Sequence, residues 1–131
     1  KAKTLGKNKT AKGVIIAGEN KADWYKIKVT KRQQVKINYN VKTNGAQYSN
    51  GTVSYYNGLK IALYQKNGKP FADGNNYYAL ANVKNPKDVD GPYYLYNSYT
   101  YKKSGIDPGT YYIKVERYNR TSSGYYTIKW K

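Results

Sequence analysis

The side chains that could perform acid–base chemistry are few in this sequence and lie far apart. It contains no histidine and no cysteine, and its seven acidic residues are Glu19, Asp23, Asp73, Asp88, Asp90, Asp107 and Glu116. A Ser-His-Asp triad needs a histidine, and a thiolate nucleophile or the usual structural zinc site needs cysteine. A glycosidase needs two carboxylates in one cleft, and turn or strand-start positions account for Asp23 and Asp107. The sequence therefore predicts a protein that is not an enzyme and requires no cofactor.

One loop concentrates oxygen atoms that a calcium ion could use as ligands. The stretch "NPKDVDGPY" carries Asp88 and Asp90 next to a glycine, and calcium takes several oxygen ligands on a flexible loop. The stretch lacks the full pattern of an EF-hand loop. A turn capped by aspartate side chains explains the same residues and is the preferred interpretation. A structural calcium ion at Asp88 and Asp90 is the alternative.

Tyrosine is the most informative residue type, with 18 copies against one phenylalanine. Successive side chains of a strand point to opposite faces. This alternation assigns four tyrosines to the core: Tyr25, Tyr39, Tyr111 and Tyr126. It leaves an outward set: Tyr64, Tyr94, Tyr96, Tyr112, Tyr118 and Tyr125. A row of exposed rings forms an apolar platform on which sugar rings can lay their C–H faces, while Asn97 and Asn119 supply hydrogen bonds.

The formal net charge is +17, from 24 basic and seven acidic residues. A charge of this size keeps a protein soluble and also attracts polyanions, and both interpretations stay open because the lysines are spread along the chain. Arginine, which forms forked pairs with carboxylates and phosphates, occurs only at Arg32, Arg117 and Arg120. Basic residues between aromatic ones could bind single-stranded nucleic acid. The chain has no RNA-binding signature, so we expect no nucleic-acid partner.

The elements that must position these residues are short β-strands. Apolar stretches alternate with clusters of Gly, Asn, Asp and Pro, and no long stretch carries a helical period. "DWYKIKV", "QVKINYNV", "GLKIALYQ", "GTYYIKVER" and "GYYTIKW" each alternate inward apolar with outward residues. Such strands form an antiparallel sandwich or a barrel.

The length of 131 residues fits one domain. Residues 14–131 are predicted to form that domain, and residues 1–13 a basic linker or a loose first strand. The chain shows neither a signal peptide nor an apolar run long enough for a membrane span, so we expect an excised module without membrane insertion.

Two regions of the sequence resemble the bacterial pre-peptidase C-terminal domains. "ENKADWYKIKVTKRQQVKINYNV" is similar to their first long hairpin, and "GIDPGTYYIKVE" with "SGYYTIKW" is similar to their closing hairpin. The resemblance covers residues 14–42 and 105–131. It implies an all-β, antiparallel, jelly-roll-like β-sandwich of accessory type, as also found among carbohydrate-binding modules of secreted glycoside hydrolases. The tyrosine-rich middle, residues 43–104, departs from the pattern.

Together these features favour a non-catalytic module that binds an extended plant polysaccharide through its outward tyrosines. Xylan is the first candidate, because its natural forms carry uronic acids that a basic protein attracts. We expect a monomer, attached to a catalytic domain in a secreted or cell-surface bacterial protein. The alternative is a structural or adhesive surface domain that is held near anionic cell-wall polymers by its charge.

Overall fold

The computed structural model describes residues 2–33, 35, 37–44, 57–69, 77–80 and 105–131. These residues form eight strands: β1 (Lys3–Thr4), β2 (Thr10–Ile15), β3 (Asp23–Val29), β4 (Ile37–Thr43), β5 (Leu59–Gln65), β6 (Tyr77–Leu80), β7 (Gly109–Arg117) and β8 (Gly124–Trp130). They include no helix that is long and apolar enough to cross a membrane. The described segments between β1 and β2, between β2 and β3, and between β7 and β8 contain Gly, Asn or Ser, which are typical of turns.

The strands are arranged in two sheets. The five-stranded sheet has the order β1-β3-β7-β5-β6 and the three-stranded sheet the order β2-β8-β4. All neighbouring strands are antiparallel except β1, which pairs in parallel with β3. The central strands of the two sheets, β7 and β8, are consecutive in the chain but lie in different sheets, as do β3 and β4. Neither pair therefore forms the hairpin that the resemblance implies. The predicted all-β sandwich is therefore confirmed.

The core lies between the sheets and contains the residues that the alternation assigns to it. β3, β4, β5, β7 and β8 each direct every second side chain inward. The buried apolar residues form one cluster with members from both sheets, which makes the sandwich a single packing unit. Tyr25, Tyr39 and Tyr126 are buried as predicted. Tyr111 is partly buried and packs against the core cluster.

The first residues take part in the sandwich. β1 pairs with β3, and Leu5 is buried in the core. The indole nitrogen of Trp130 donates a hydrogen bond to the Leu5 carbonyl over 2.8 Å, and the Trp130 carbonyl accepts one from the Asn8 backbone over 2.8 Å. This segment, predicted to be a basic linker or a loose first strand, thus contributes one short strand and the beginning of β2.

A buried tyrosine pair joins the two sheets. The hydroxyls of Tyr25, on β3, and Tyr126, on β8, are 2.7 Å apart, and the Tyr126 hydroxyl also donates to the Asp23 carboxylate. Burial and these hydrogen bonds raise the pKa of Tyr126, and burial raises the pKa of Tyr25. The Tyr126 ring lies over Gly13 of β2, where an added Cβ would come within 2.2 Å of the hydroxyl oxygen. Only glycine leaves room for this ring.

Candidate functional site

Three aromatic side chains meet on the outer face of the five-stranded sheet. The Trp24 ring centroid lies 5.1 Å from that of Tyr64 and 6.5 Å from that of Tyr112, with interplanar angles of 68° and 79°. We call these three residues the aromatic cluster. The strand register explains why these rings meet. Tyr64 on β5 pairs with Tyr112 on β7, and Trp24 on β3 pairs with Lys114, two positions after Tyr112 on β7. Edge-to-face packing of this kind is a favourable geometry for aromatic rings.

Lys114 stands in the middle of the aromatic cluster. Its Nζ atom is 5.2 Å from the Trp24 ring centroid and 5.6 Å from that of Tyr64, both within the range of a cation–π contact. The same ammonium lies 3.3 Å from the Glu116 carboxylate, which also lies 3.6 Å from the Lys60 ammonium. Ala62, the β5 partner of Lys114, is only 6% exposed although it belongs to this outer face. The larger side chains around Ala62 therefore cover this part of the outer face of the sheet.

A cavity of about 400 Å³ adjoins the aromatic cluster where β7 ends. We call it the cationic cavity. Its lining residues come from the loop before β3, from β3 and β7, and from the turn after β7: Asn20, Lys21, Ala22, Trp24, Lys114, Glu116, Arg117, Tyr118, Asn119 and Arg120. Trp24 and Lys114 belong to both the cavity and the cluster, so the two features form one continuous surface.

The turn that closes the cavity is held by hydrogen bonds to the segment before β5. The Asn57 backbone N–H donates to the Asn119 side-chain oxygen over 2.6 Å, and the Asn119 side-chain nitrogen donates to the Asn57 side-chain oxygen over 2.8 Å. The Tyr118 backbone N–H donates to the Gly58 carbonyl over 3.0 Å. These contacts position Tyr118 and its neighbours without help from a ligand.

The positive charge of the described residues is only partly compensated. Four acidic residues fall within them, and each is engaged: Glu19 lies 3.7 Å from Lys21, Asp107 pairs with Arg32, Glu116 contacts two lysines, and Asp23 accepts from Tyr126. Lysines lie on the outer faces of both sheets, among them Lys26 on β3 and Lys42 on β4. The charge is therefore spread over both faces.

The structure brings together three of the predicted ligand-binding tyrosines. Tyr64 and Tyr112 lie in the aromatic cluster, and Tyr118, 40% exposed, lines the adjoining cavity. The rings of the cluster stand nearly perpendicular to one another, so they do not form the flat row that the alternation suggests. Three further predicted ligand residues lie outside the described residues: Tyr94, Tyr96 and Asn97.

The remaining two predicted ligand residues lie where they contribute little to this surface. Tyr125 is 64% exposed but belongs to β8, on the outer face of the other sheet, beside Val14 and Lys42. It cannot share a platform with Tyr64 and Tyr112. Asn119 lines the cationic cavity, but its side-chain amide already donates hydrogen bonds to Asn57 and to Thr121. Its role in the fold is therefore clearer than a role in binding.

The predicted calcium ligands, Asp88 and Asp90, lie outside the described residues. Among the residues that the structure does describe, no three His, Cys, Asp or Glu side chains come close enough to hold a metal ion.

The central ring of the surface, Trp24, was not among the predicted ligand residues. The alternation of "DWYKIKV" predicts that the Trp24 side chain points outward, on the same face of the strand as Lys26. What the alternation could not show is that β3 and β5 flank β7 in one sheet, which places Trp24 beside Tyr64. Arg117 and Arg120 line the same cavity, which their positions in the sequence do not predict.

The fold and this surface define an all-β sandwich with a basic, aromatic outer face. No protein-family model matches the chain, and no curated protein matches it in sequence. Among solved structures, the pre-peptidase C-terminal domain of collagenase from Bacillus anthracis is similar, with a TM-score of 0.57, 22% identity, and coverage of 100% of this chain and 95% of that chain. This similarity supports the predicted fold type.

A periplasmic inhibitor of g-type lysozyme from Salmonella Typhimurium is a more remote structural neighbour. Its TM-score is 0.42, its identity is 17%, and the match covers 99% of this chain and 100% of that chain.

Proposed function

We propose that this protein is a non-catalytic accessory domain that binds an extended polysaccharide chain on the outer face of its five-stranded sheet. The aromatic cluster around Trp24 is the observation that carries the proposal. Pyranose rings have apolar C–H faces that pack on aromatic side chains, and their hydroxyls accept hydrogen bonds from ammonium groups such as that of Lys114. Cluster and cation are adjacent here, which suits a ligand that is apolar on one face and polar at its edges.

The expected affinity is low. Two or three aromatic contacts of roughly 0.5–1.5 kcal/mol each, with a few hydrogen bonds, correspond to dissociation constants on the order of tens of micromolar to millimolar. Attachment to a second domain that acts on the same polymer compensates for this, because binding then becomes intramolecular. We therefore place the module, as a monomer, in a secreted or cell-surface bacterial protein with a catalytic domain. The structurally similar Bacillus anthracis domain is likewise one domain of a collagenase.

Xylan is the first candidate ligand. Its natural forms carry uronic acids, and the net charge of +17 attracts a polymer of opposite sign. Calcium at Asp88 and Asp90 stays a prediction, and the proposal involves neither nucleic acid nor membrane insertion.

Affinity electrophoresis tests the proposal directly. The protein is run toward the cathode in native gels that contain xylan, mixed-linkage glucan, mannan or starch, at two salt concentrations. Retardation by one glycan at both salt concentrations is the expected result, because packing on a neutral sugar ring survives salt while purely ionic binding does not. Trp24→Ala should remove the retardation and Tyr125→Ala, on the other sheet, should retain it. Equal loss in both variants, or no retardation by any glycan, would overturn the proposal.

A second function is favoured by the spread of charge. Lys12 and Lys42 extend the positive surface over the three-stranded sheet, far from the aromatic cluster. A structural or adhesive domain that is held near anionic cell-wall polymers would use both faces in this way. In that case retardation occurs only with acidic polymers, disappears at the higher salt concentration, and does not depend on Trp24.

A further inference from the structure

The cationic cavity has a strong excess of positive groups. Four basic residues line it against one acidic residue, Glu116, whose carboxylate already contacts two lysine ammonium groups. Arg117 and Arg120 have no ion pair among the described residues, whereas the third arginine, Arg32, pairs with Asp107. The two arginines without an acidic partner in the described part of the chain thus line the same cavity.

Arginine suits one class of ligand group in particular. The guanidinium is planar and presents its donors as a fork that matches the two oxygens of a carboxylate, and it is less strongly hydrated than an ammonium. Arg117 is half-buried at the end of β7, and Arg120 is exposed in the following turn. Both residues border the cavity, so an anion that enters it from solvent lies near both.

The cavity also has aromatic walls and a suitable size. Trp24 and Tyr118 line it together with the arginines. A volume of about 400 Å³ lies within the range of roughly 300–1,000 Å³ that is typical of small-molecule sites. Rings next to a guanidinium pair fit a ligand that carries a carboxylate on a pyranose ring better than they fit a small inorganic anion.

Further hydrogen bonds hold the turn that lines the cavity. Besides the bonds between Asn57 and Asn119, the Gly18 backbone N–H donates to the Arg120 carbonyl over 3.4 Å, and the buried Ser122 hydroxyl accepts from the Asn119 backbone over 3.1 Å. A site whose backbone is already in place loses little entropy when a ligand binds.

We propose that the cationic cavity is a subsite for a sugar acid, whose carboxylate pairs with Arg117 and Arg120 while its ring packs against Trp24 or Tyr118. The inference rests on the proposed function and sharpens it. A neutral chain lies over the aromatic cluster, and an acidic substituent of the chain enters the adjoining cavity. The module would then distinguish an acidic glycan from its neutral counterpart by a defined contact in addition to its overall charge.

Titrations with two monosaccharides test this subsite apart from the polymer. Glucuronic acid and glucose are added to the protein, and amide and indole resonances are followed by NMR. We expect glucuronate to shift the resonances of Trp24 and of residues 117–120, with a dissociation constant at least tenfold below that of glucose. Inorganic sulfate is the competing anion, and it should displace glucuronate only at a concentration at least tenfold higher. Displacement at equal concentration would overturn the inference, since the cavity would then be a general anion site.

A charge-matched pair of variants separates the cavity from overall charge. Arg117→Gln with Arg120→Gln should weaken glucuronate binding at least tenfold, whereas Lys12→Gln with Lys42→Gln, on the opposite face, should change it less than twofold. Arg120→Gln alone, at an exposed position, should weaken binding at least threefold and serves if the double variant does not fold. Equal effects of the two double variants would overturn the inference.

Xylo-oligosaccharides with and without a glucuronic acid substituent distinguish the two proposals. Binding of both with equal affinity contradicts the acidic subsite and leaves the proposed function in place. Binding of glucuronate in the cavity without any binding of the neutral oligosaccharide supports the subsite and contradicts the polysaccharide proposal. The expected result is binding of both, with the acidic form at least tenfold tighter and this preference lost in the arginine double variant.

Discussion

Both sheets direct aromatic residues into the core, but they differ in the aromatic residues of their outer faces. The five-stranded sheet directs Trp24, Tyr64 and Tyr112 outward, where they meet on one surface. The three-stranded sheet directs two of the three large aromatics of β8, Tyr126 and Trp130, inward to the core. Its outer face carries the exposed Tyr125 beside an exposed Val14 and several lysines.

This difference shows that an outward tyrosine joins a cluster only when the strand register places other aromatic residues beside it. Tyr64 faces Tyr112 across the ladder, and Trp24 lies on the next row, so three strands contribute to one cluster. Tyr125 has the same outward parity, but its ladder partners are Val14 and Lys42. Edge-to-face contacts stabilise the first group, while Tyr125 has no aromatic ladder partner.

The largest effect is expected where the three-stranded sheet accommodates its buried tyrosine. Gly13→Ala places a Cβ within 2.2 Å of the Tyr126 hydroxyl oxygen and 2.4 Å of its ring. The ring cannot stay in place, so we expect the free energy of unfolding to fall by about 3 kcal/mol. Urea unfolding followed by circular dichroism measures it. Lys12→Ala, at the preceding and exposed position of the same strand, should change stability by less than about 0.5 kcal/mol. Similar losses in both variants would contradict this account of Gly13.

The next largest effect should separate the two outer faces. Trp24→Ala removes two edge-to-face contacts and one cation–π contact, and should lower the free energy of unfolding by about 2 kcal/mol. Tyr125→Ala removes a ring that is mostly in solvent and should cost less than about 0.5 kcal/mol. Both are compared in the same urea unfolding experiment. If Tyr125→Ala proved as destabilising as Trp24→Ala, the contrast between the two faces would fail.

Alkaline pH should reveal the buried tyrosine pair between the sheets. Burial is the main cause that raises the pKa of Tyr25 and Tyr126 above the ordinary value of 10.0. Above pH 10 the unfolded chain loses protons that the folded chain retains, so the stabilisation is complete below pH 10 and decreases as the pH rises. Each tyrosine contributes up to about 1.4 kcal/mol per pH unit.

Tyr126→Phe should therefore make the stability less steeply dependent on pH between pH 10 and 11.5, as followed by urea unfolding. Tyr125→Phe removes an exposed hydroxyl and should leave the slope unchanged. If stability depended equally steeply on pH in the unchanged protein, in Tyr126→Phe and in Tyr125→Phe, the assignment of this pH dependence to the buried tyrosine pair would be refuted.

The smallest effect concerns the coupling within the aromatic cluster. A double-mutant cycle with Trp24→Ala and Tyr64→Ala should give a coupling energy of about 1 kcal/mol, because their ring centroids are 5.1 Å apart. The control cycle uses Val14→Ala and Tyr125→Ala, which are ladder partners on the other face. Its coupling should be smaller by at least half, and equal coupling in both cycles would remove the distinction drawn between the faces.

Much of the fold follows from patterns that are local in the sequence. The alternation in "DWYKIKV" and "GYYTIKW" correctly separates Tyr25 from Trp24 and Tyr126 from Tyr125. The Asn67-Gly68 dipeptide is a turn signal, and a turn follows β5 at this point, where Gly68 has a φ of 85° and the Gln65 N–H donates to the Lys69 carbonyl. Both patterns depend on neighbouring residues, where backbone geometry leaves few choices.

The site is less predictable, because outward parity does not tell which sheet a strand joins. β7 and β8 follow one another and carry similar sequences, yet their outward tyrosines, Tyr112 and Tyr125, lie on opposite sides of the molecule. The sequence likewise does not show whether an asparagine binds a ligand or stabilises a turn by hydrogen bonds. Only the contacts with Asn57 show that Asn119 holds the turn beside the cavity.

The sequence by itself determined β3, β4, β5, β7 and β8, their inward and outward residues, and the excess of positive charge. Alternation and composition are properties of neighbouring residues or of the whole chain. Tertiary structure alone decided that Trp24, Tyr64 and Tyr112 form one cluster and that Arg117 and Arg120 line a cavity beside it. The physical reason is that sheet order and register arise from packing between residues far apart in the chain, and these long-range contacts determine which outward side chains become neighbours.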